Sequence, residues 1–305
     1  MTGLEAAVED YLALRRAVGF KLQGAGSLLT DFVSYLDSKS AKAITTPLAL
    51  DWATRSPSPM QSARRLQVVR GFASYLQAID PRTEVPPGGL LACRGRRRIP
   101  YLYSETEVVS LMKAARALQP TLWGATCETV IGLLWATGMR IGEVLRLDRA
   151  DVGWDDGVLT VSLTKFGKSR HVPLHASTLC ALDTYNRLRR RHRLGPNPPS
   201  FFVSAKGERL AYPGLRQEFL RLLACCGVPS PNSARQPRIH DLRHSFAVRT
   251  VLGWYRAGED VQALLPRLST YLGHVDPSTT YWYLSAAPEL LALAAECLEN
   301  EGWAS

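Results

Sequence analysis

The 305-residue sequence has no run approaching the roughly 18 apolar residues of a membrane-spanning helix, and it lacks a charged-then-apolar signal segment at its start. Those absences predict a cytoplasmic protein with no membrane partner. Cysteine is sparse and unpatterned: Cys93, Cys127, Cys180, Cys225, Cys226 and Cys297 show no CxxC spacing. The adjacent pair Cys225-Cys226 is poorly placed for an ordinary bridge. The six therefore read as reduced core residues, with neither a metal site nor a disulfide framework. No period of about 20–50 residues repeats, which argues against a solenoid.

Acid is short relative to base. The chain holds 37 Lys+Arg against 27 Asp+Glu, a formal net charge of +10, with an isoelectric point near 9.5. Residues 1–100 come to +6 and residues 101–287 to +8, whereas the tail from Pro288 carries four Glu and no base. Two basic halves suit a polyanionic partner, because phosphate neutralisation supplies most non-specific affinity for nucleic acid. At 46% hydrophobic and 21% charged residues the composition is globular, and the length allows two domains.

Apolar residues recur at helical spacing over Leu4–Val18 and Ser27–Leu36. Thr46-Pro47 and Ser58-Pro59 each read as an N-cap followed by Pro at the first helical position, opening two more helices. Residues 1–80 are thus expected to be an all-helical bundle, with Arg55, Arg64, Arg65 and Arg70 on its exposed face. Residues 81–100 hold Pro81, Pro86-Pro87-Gly88-Gly89 and the run Arg94-Gly-Arg96-Arg97-Arg98, the composition of a basic linker. A second domain, 101–287, opens with the capping-box pattern Ser104-Glu-Thr-Glu107. Its apolar run Cys127–Leu147 is broken at Thr137-Gly-Met-Arg140. Val158–Leu163 and Arg170–Leu174 read as the two strands of a hairpin tipped by Lys165-Phe-Gly167-Lys168. Helix resumes over about Ser177–Arg193. Short strand and helix signals then run through Phe201–Val203 and Leu215–Cys226, and Trp254–Pro266 reads as a long connection. Residues 288–305 read as a tail helix starting at Pro288 with an apolar stripe. The fold class is mainly α with a small β-sheet: a helical first domain and an α+β second domain.

Several side chains in the second domain bear chemistry. Arg140 follows a Gly turn and stands three residues before Glu143; a guanidinium offers a rigid fork to two phosphate oxygens and stays charged. A plain Arg140–Glu143 surface pair is the ordinary alternative. Lys165 and Lys168 lie at the hairpin tip. His240 and Arg243 stand three apart on a helical stretch and so share a face, with His244 beside them. Leu272-Gly-His274 places a second imidazole after a turn, and Tyr283 lies nine residues beyond it. Tyr281 is the neighbouring alternative phenol. A fixed cation, two imidazoles and a phenol suit attack by an oxygen nucleophile at a phosphodiester. The run Arg187, Arg189, Arg190, Arg191 and Arg193 either complements a helix dipole or touches a DNA backbone.

In this order, Arg140, Lys165, His240-x-x-Arg243, Leu272-Gly-His274 and Tyr283 resemble the active site of the tyrosine recombinases, the lambda-integrase-like or phage-integrase family, over roughly Tyr101 to Leu298. The N-terminal bundle is similar to that family's core-binding domain in size and helicity. The resemblance implies two domains clamped around double-stranded DNA, with Tyr283 attacking the scissile phosphate to form a 3′-phosphotyrosyl link. Lys165 then protonates the leaving 5′ oxygen, His240 relays the tyrosine proton, and Arg140, Arg243 and His274 hold the phosphate. It makes Glu143 the residue that orients Arg140, and His244 a packing or supporting residue. It implies no cofactor and no metal, and self-assembly into a tetramer on DNA from a monomer or weak oligomer, coupled by the tail helix. Arg64, Arg65, Arg96, Arg97, Arg98 and Lys168 are the expected DNA contacts. A mobile-element recombinase fits this pattern; a type IB topoisomerase-like enzyme and a non-cleaving DNA-binding regulator are the alternatives.

Overall fold

The computed structural model describes residues 3–20, 22–91, 100–162, 169–192, 198–228 and 237–273. It falls into two compact units, Met1–Arg98 and Ile99–Ser305. The first contains α1 (Gly3–Ala17), α2 (Gln23–Ser38), α3 (Thr46–Thr54) and α4 (Pro59–Leu76). Their apolar stripes meet in one core, with Leu29, Phe32, Leu36, Ile44, Trp52, Val69 and Phe72 at or near zero exposure. Each such side chain contributes about 1.5–3 kcal/mol by leaving water.

Helix α3 starts one residue earlier than the sequence predicts. Thr45, in extended backbone, is the cap and accepts from the Leu48 N–H at 3.5 Å, so Pro47 occupies the second helical position. Proline is tolerated throughout that turn, where its missing N–H would have had no helical partner. Part of the expected linker packs on this unit. The Glu84 N–H donates to the Ile44 carbonyl at 2.8 Å, its carboxylate accepts from the Thr46 N–H at 2.8 Å, and Val85 and Leu91 lie against the core.

The second unit contains α5 (Glu105–Arg116), α6 (Thr121–Thr137), α7 (Ile141–Arg146), β1 (Val152–Gly153), β2 (Val158–Val161), β3 (Arg170–Pro173), α8 (Ala176–Arg191), α9 (Tyr212–Cys225), α10 (Asp241–Arg256) and α11 (Val261–Leu272). Ser104 and Glu107 form the capping box expected for α5. Helix α6 is apolar around most of its circumference and is accordingly packed on several sides, touching α5, α8 and α10. The three strands form an antiparallel sheet in the order β1-β2-β3, with Leu159 opposite Val172 and Val161 opposite Arg170. Leu159, Val161 and Val172 are buried. Side chains alternate along a strand, so Arg170 lies on the same inward face as Val172. Among the described residues the architecture is the mainly α, small-sheet fold that the sequence predicts.

Three local expectations need correction. Cys180 and Cys225 are exposed free thiols, not core residues, while Cys127 is buried. Phe201–Val203 forms isolated bridges, Asp148 to Ser200 and Val203 to Arg209, and no strand of its own. Trp254–Pro266 is not a long connection: α10 runs to Arg256 and α11 begins at Val261 with Pro266 inside it. Asp260 caps α11, accepting from the Ala263 N–H at 3.0 Å. The stripe Val261, Leu265, Leu268 and Leu272 is buried. Four such side chains outweigh the roughly 3 kcal/mol cost of an interior proline.

Arg65 bears on how the first unit is held. Its guanidinium lies 4.5 Å over the Trp52 ring, donates to the Trp52 carbonyl at 3.3 Å and pairs with Asp31 at 3.0 Å. We expect Arg65→Ala to destabilise the first unit by about 1 kcal/mol, read as a lower urea midpoint followed by tryptophan fluorescence. An unchanged midpoint would leave Arg65 without a structural role.

Candidate active site

Helix α6 ends at Gly138, which caps it in the left-handed conformation at φ 59°. A Cβ there would come within 2.4 Å of the Phe246 ring, so both backbone and space require glycine. The chain re-enters helix two residues on, with Arg140 at the cap position of α7. Glu143, in the first turn of α7, accepts from the Arg140 backbone N–H at 2.9 Å and from Arg140 Nη1 at 2.9 Å. Arg170 closes on the same carboxylate from β3, donating to Oε1 at 3.0 Å and to Oε2 at 2.7 Å. Each Glu143 oxygen thus accepts two hydrogen bonds, and its side chain is only 2% exposed. Burial pushes the Glu143 pKa up, but the hydrogen bonds from Arg170 and from the Arg140 backbone, with their positive charge, outweigh it and hold the pKa at about 2. The carboxylate is ionised at every physiological pH.

Helix α11 ends on the same spot. Gly273 caps it in the left-handed conformation at φ 68°, and a Cβ there would lie 3.0 Å from Arg170 Nη1 and 3.4 Å from Arg140 Nη1. Arg140 Nη2 donates to the Gly273 carbonyl at 2.7 Å. Arg243, on the first turn of α10, is buried; it donates to the Gly138 carbonyl at 2.8 Å and to the Leu272 carbonyl at 2.7 Å. Two helix C-termini therefore turn their carbonyls, the negative ends of their dipoles, toward two guanidinium groups. That arrangement makes burial of Arg243 affordable and fixes its orientation.

His240 sits at the cap position of α10 in helical backbone. Asp241 anchors this turn, accepting from the Arg238 backbone N–H at 2.9 Å and from its side chain at 3.2 Å. Ser245 ties the turn to the start of the unit by accepting from the Tyr103 N–H at 2.8 Å. The His240 ring meets His244 edge-on, centroids 4.9 Å apart. By surface area the residue is exposed to solvent. Partial enclosure by protein, then the cations Arg243, Arg238 and Arg140, lower its pKa from 6.5 to about 4. Solvent tempers the shift without changing its sign, so the imidazole is neutral at pH 7 and able to accept a proton.

Two guanidinium groups on one buried carboxylate, with Arg243 and a neutral imidazole alongside, form a site of net positive charge built for an anion. Residues 102–289 match the family model described as the phage integrase family. The chain belongs to that family of tyrosine recombinases. It is 43% identical to a putative integrase/recombinase, y4rB, of Sinorhizobium fredii over 98% of both chains. It is 30% identical to the tyrosine recombinase XerC of Rhizobium meliloti, over 72% of this chain and 64% of that one. The fold is similar to that of the Tn1549 transposon integrase in complex with transposon right-end DNA: TM-score 0.68, 16% identity, covering 97% of this chain and 98% of that chain. It is also similar to the XerH site-specific recombinase bound to its palindromic difH substrate: TM-score 0.65, 20% identity, covering 97% and 85%.

For this phage integrase family member, the structure brings four of the sequence-nominated residues together: Arg140, Glu143, His240 and Arg243, with His244 against His240. Lys165, Lys168, His274, Tyr283, Arg96, Arg97, Arg98, Arg193 and the tail 288–305 lie outside the described residues. Arg64 is exposed and Arg65 is engaged with Trp52 and Asp31. Of the α8 arginines, Arg187 pairs with Asp183 at 2.6 Å. Arg189 is buried and donates to the Pro198 and Ser200 carbonyls, a structural role rather than a backbone contact to DNA. The residue that sequence reasoning passed over is Arg170. Its signal was available: a strand pattern that turns Val172 inward also turns Arg170 inward, and an inward-facing guanidinium needs hydrogen-bond acceptors there. Among the described residues, no helix is long and apolar enough to cross a membrane, and no cluster of three His, Cys, Asp or Glu is placed to hold a metal ion.

Because folding favours the neutral form of His240, its protonation weakens the fold as pH falls from 6.5 toward 4, and above 6.5 it has no effect. In histidine-labelled protein the His240 ring, assigned through His240→Gln, should remain neutral at pH 6 and titrate near pH 4 in NMR spectra. Titration at or above pH 6.5 would contradict the electrostatic account.

Proposed function

We infer that this protein is a site-specific tyrosine recombinase that cuts and rejoins double-stranded DNA. The observation that carries the reading is the convergence of Arg140, Arg243 and Glu143 in a chain of the phage integrase family. Arg243 meets a carbonyl 105 residues away and Arg140 one 133 residues away. Two fixed guanidinium groups and a neutral imidazole stabilise the extra charge that gathers on phosphorus oxygens during attack.

In this mechanism the Tyr283 hydroxyl oxygen attacks the scissile phosphorus. A bond forms between that oxygen and phosphorus, and the bond to the 5′ oxygen breaks. The phenol proton passes to His240, whose lowered pKa keeps it available as an acceptor. Lys165 supplies the proton to the departing 5′ oxygen, while Arg140, Arg243 and His274 hold the non-bridging oxygens. The 5′ hydroxyl of a partner strand then attacks the 3′-phosphotyrosyl link and releases Tyr283. The energy of the phosphodiester is retained in the covalent link, so the cycle is balanced without a nucleotide. Glu143 holds Arg140, and Arg64, Arg96, Arg97, Arg98 and Lys168 contact the DNA backbone. A mobile element is the setting that best fits a relative named as a putative integrase/recombinase across nearly the whole chain.

The same reading includes self-assembly into a tetramer on DNA, from a monomer or weak oligomer in free solution. Its support is the apolar stripe of residues 288–298 behind Pro288. A groove of about 360 Å³ between α5, α6 and α8, lined in part by Met112, Leu133, Trp135, Leu182 and Leu188, offers apolar surface for such a segment from a second copy.

Candidate substrates are to be sought as inverted repeats in the DNA flanking the gene. On a nicked suicide duplex carrying them, the protein should form a covalent adduct that survives detergent and is lost in Tyr283→Phe. Arg140→Ala and Arg243→Lys should cut the rate at least about 100-fold while duplex binding is retained. Tight binding with no adduct would assign a regulator, and plasmid relaxation without strand exchange a topoisomerase-like enzyme. Deleting residues 288–305 should lower the stoichiometry of the DNA complex measured by light scattering; an unchanged tetramer would remove the tail from the assembly.

A further inference from the structure

Resting on the recombinase reading, we propose that Arg170 is a positioning residue for strand cleavage. By gripping Glu143 from β3 it fixes the Arg140 guanidinium at the phosphate site.

The geometry separates this role from that of an ordinary strand-end cation. Arg170 meets Glu143 with two parallel hydrogen bonds, 3.0 and 2.7 Å, the fork-on-carboxylate arrangement that combines strength with direction. Arg140 takes the other lone pair of each oxygen, one through Nη1 and one through its backbone N–H. Four donors saturate the four acceptor sites of a carboxylate that water does not reach. Without Arg170, each oxygen loses one donor and a buried charge is left half satisfied. The carboxylate must then rotate, with Arg140 attached to it, or take up a proton and release Arg140. Either outcome moves a phosphate-binding guanidinium without touching the phosphate. Misplacement on the order of 1 Å can cost about 100-fold in rate.

Arg170 is also the first residue of β3. Its bond to Glu143 pins β3 to the first residues of α7, so the placement of that strand and the direction of Arg140 are set by one shared carboxylate. Lysine would not substitute, because a single ammonium does not span both oxygens of the fork.

The charged and titratable groups facing Glu143 or Arg170 are Arg140 at the start of α7, His240 at the cap of α10 and Tyr271 on α11; Arg243 on α10 acts on His240 and Tyr271 in turn. Removing Arg170 takes away the hydrogen-bonded cation that does most to keep Glu143 ionised. The Glu143 pKa rises, the fraction ionised at a given pH falls, and cleavage in the variant recovers as pH increases. A purely structural pin would slow cleavage equally at every pH.

The test combines two measurements. In free protein carrying ¹³C-labelled glutamate, the Glu143 carboxyl, assigned with Glu143→Gln, should stay ionised to about pH 3 in wild type and titrate at clearly higher pH in Arg170→Gln. In single-turnover cleavage of the suicide duplex, Arg170→Ala should lose about 100-fold in rate with duplex affinity changed less than about threefold. The double variant Arg170→Ala/Glu143→Gln should be no slower than the slower single variant, since both act through one contact. Arg170→Gln retains one donor and carries the cycle if the alanine variant does not fold. Multiplicative losses in the double variant would make Arg170 an independent phosphate contact and overturn the proposal. An unshifted Glu143 titration or an unchanged cleavage rate would overturn it as well. Failure of the wild-type protein to form any adduct would instead count against the recombinase reading, and the free-protein titration would still decide whether Arg170 governs Glu143.

Discussion

One buried carboxylate holds the site in shape. Glu143 accepts from two arginine side chains and one backbone N–H, and each partner comes from an element that must be placed for other reasons: Arg140 from the break between α6 and α7, Arg170 from the returning strand of the sheet. Taking a carboxylate out of water costs several kcal/mol. The cost is best offset when all its acceptor sites are filled, so a partial assembly of these elements carries a penalty. The pair is weak as a source of net stability and strong as a source of geometry.

The second constraint is where buried positive charge finds its counterweight. Arg243 is held by carbonyls at the ends of α6 and α11. Using helix C-termini leaves the site with a surplus of cation that Glu143 alone does not cancel. The same surplus acts on His240, depressing its proton affinity so that a base is present where three cations already stand. When an anion enters, that depression must relax, because the anion faces the same cations. Substrate binding and readiness to take up a proton are therefore linked through charge alone.

Much of this was legible in the sequence. Capping signals at Ser104 and Ser58 and the apolar periods of α1, α2 and α4 depend on neighbours a few residues away, which a linear reading sees. The Arg140–Glu143 spacing and the His240–Arg243 spacing are also local, and both pairs fall where expected. What was missed depends on tertiary contact. Pro266 reads as a breaker until one sees that Val261, Leu265, Leu268 and Leu272 form a buried stripe strong enough to carry helix through it. Cys180 and Cys225 read as core because their surroundings in sequence are apolar, although their positions on α8 and α9 face outward. Arg189 reads as one of a row of surface cations, and only the path of the chain at Pro198 and Ser200 explains its burial. Arg170 was within reach through the two-residue alternation of its strand.

The distances in sequence between the partners have a consequence for synthesis. Arg140 is held by a carbonyl 133 residues downstream and Arg243 by one 29 residues downstream of itself. A nascent chain that has left the ribosome only as far as α10 has both guanidinium groups but neither of the α11 carbonyls that aim them. The cutting machinery is thus withheld until the chain has been made through Gly273, and a truncated product would carry the cations without their alignment.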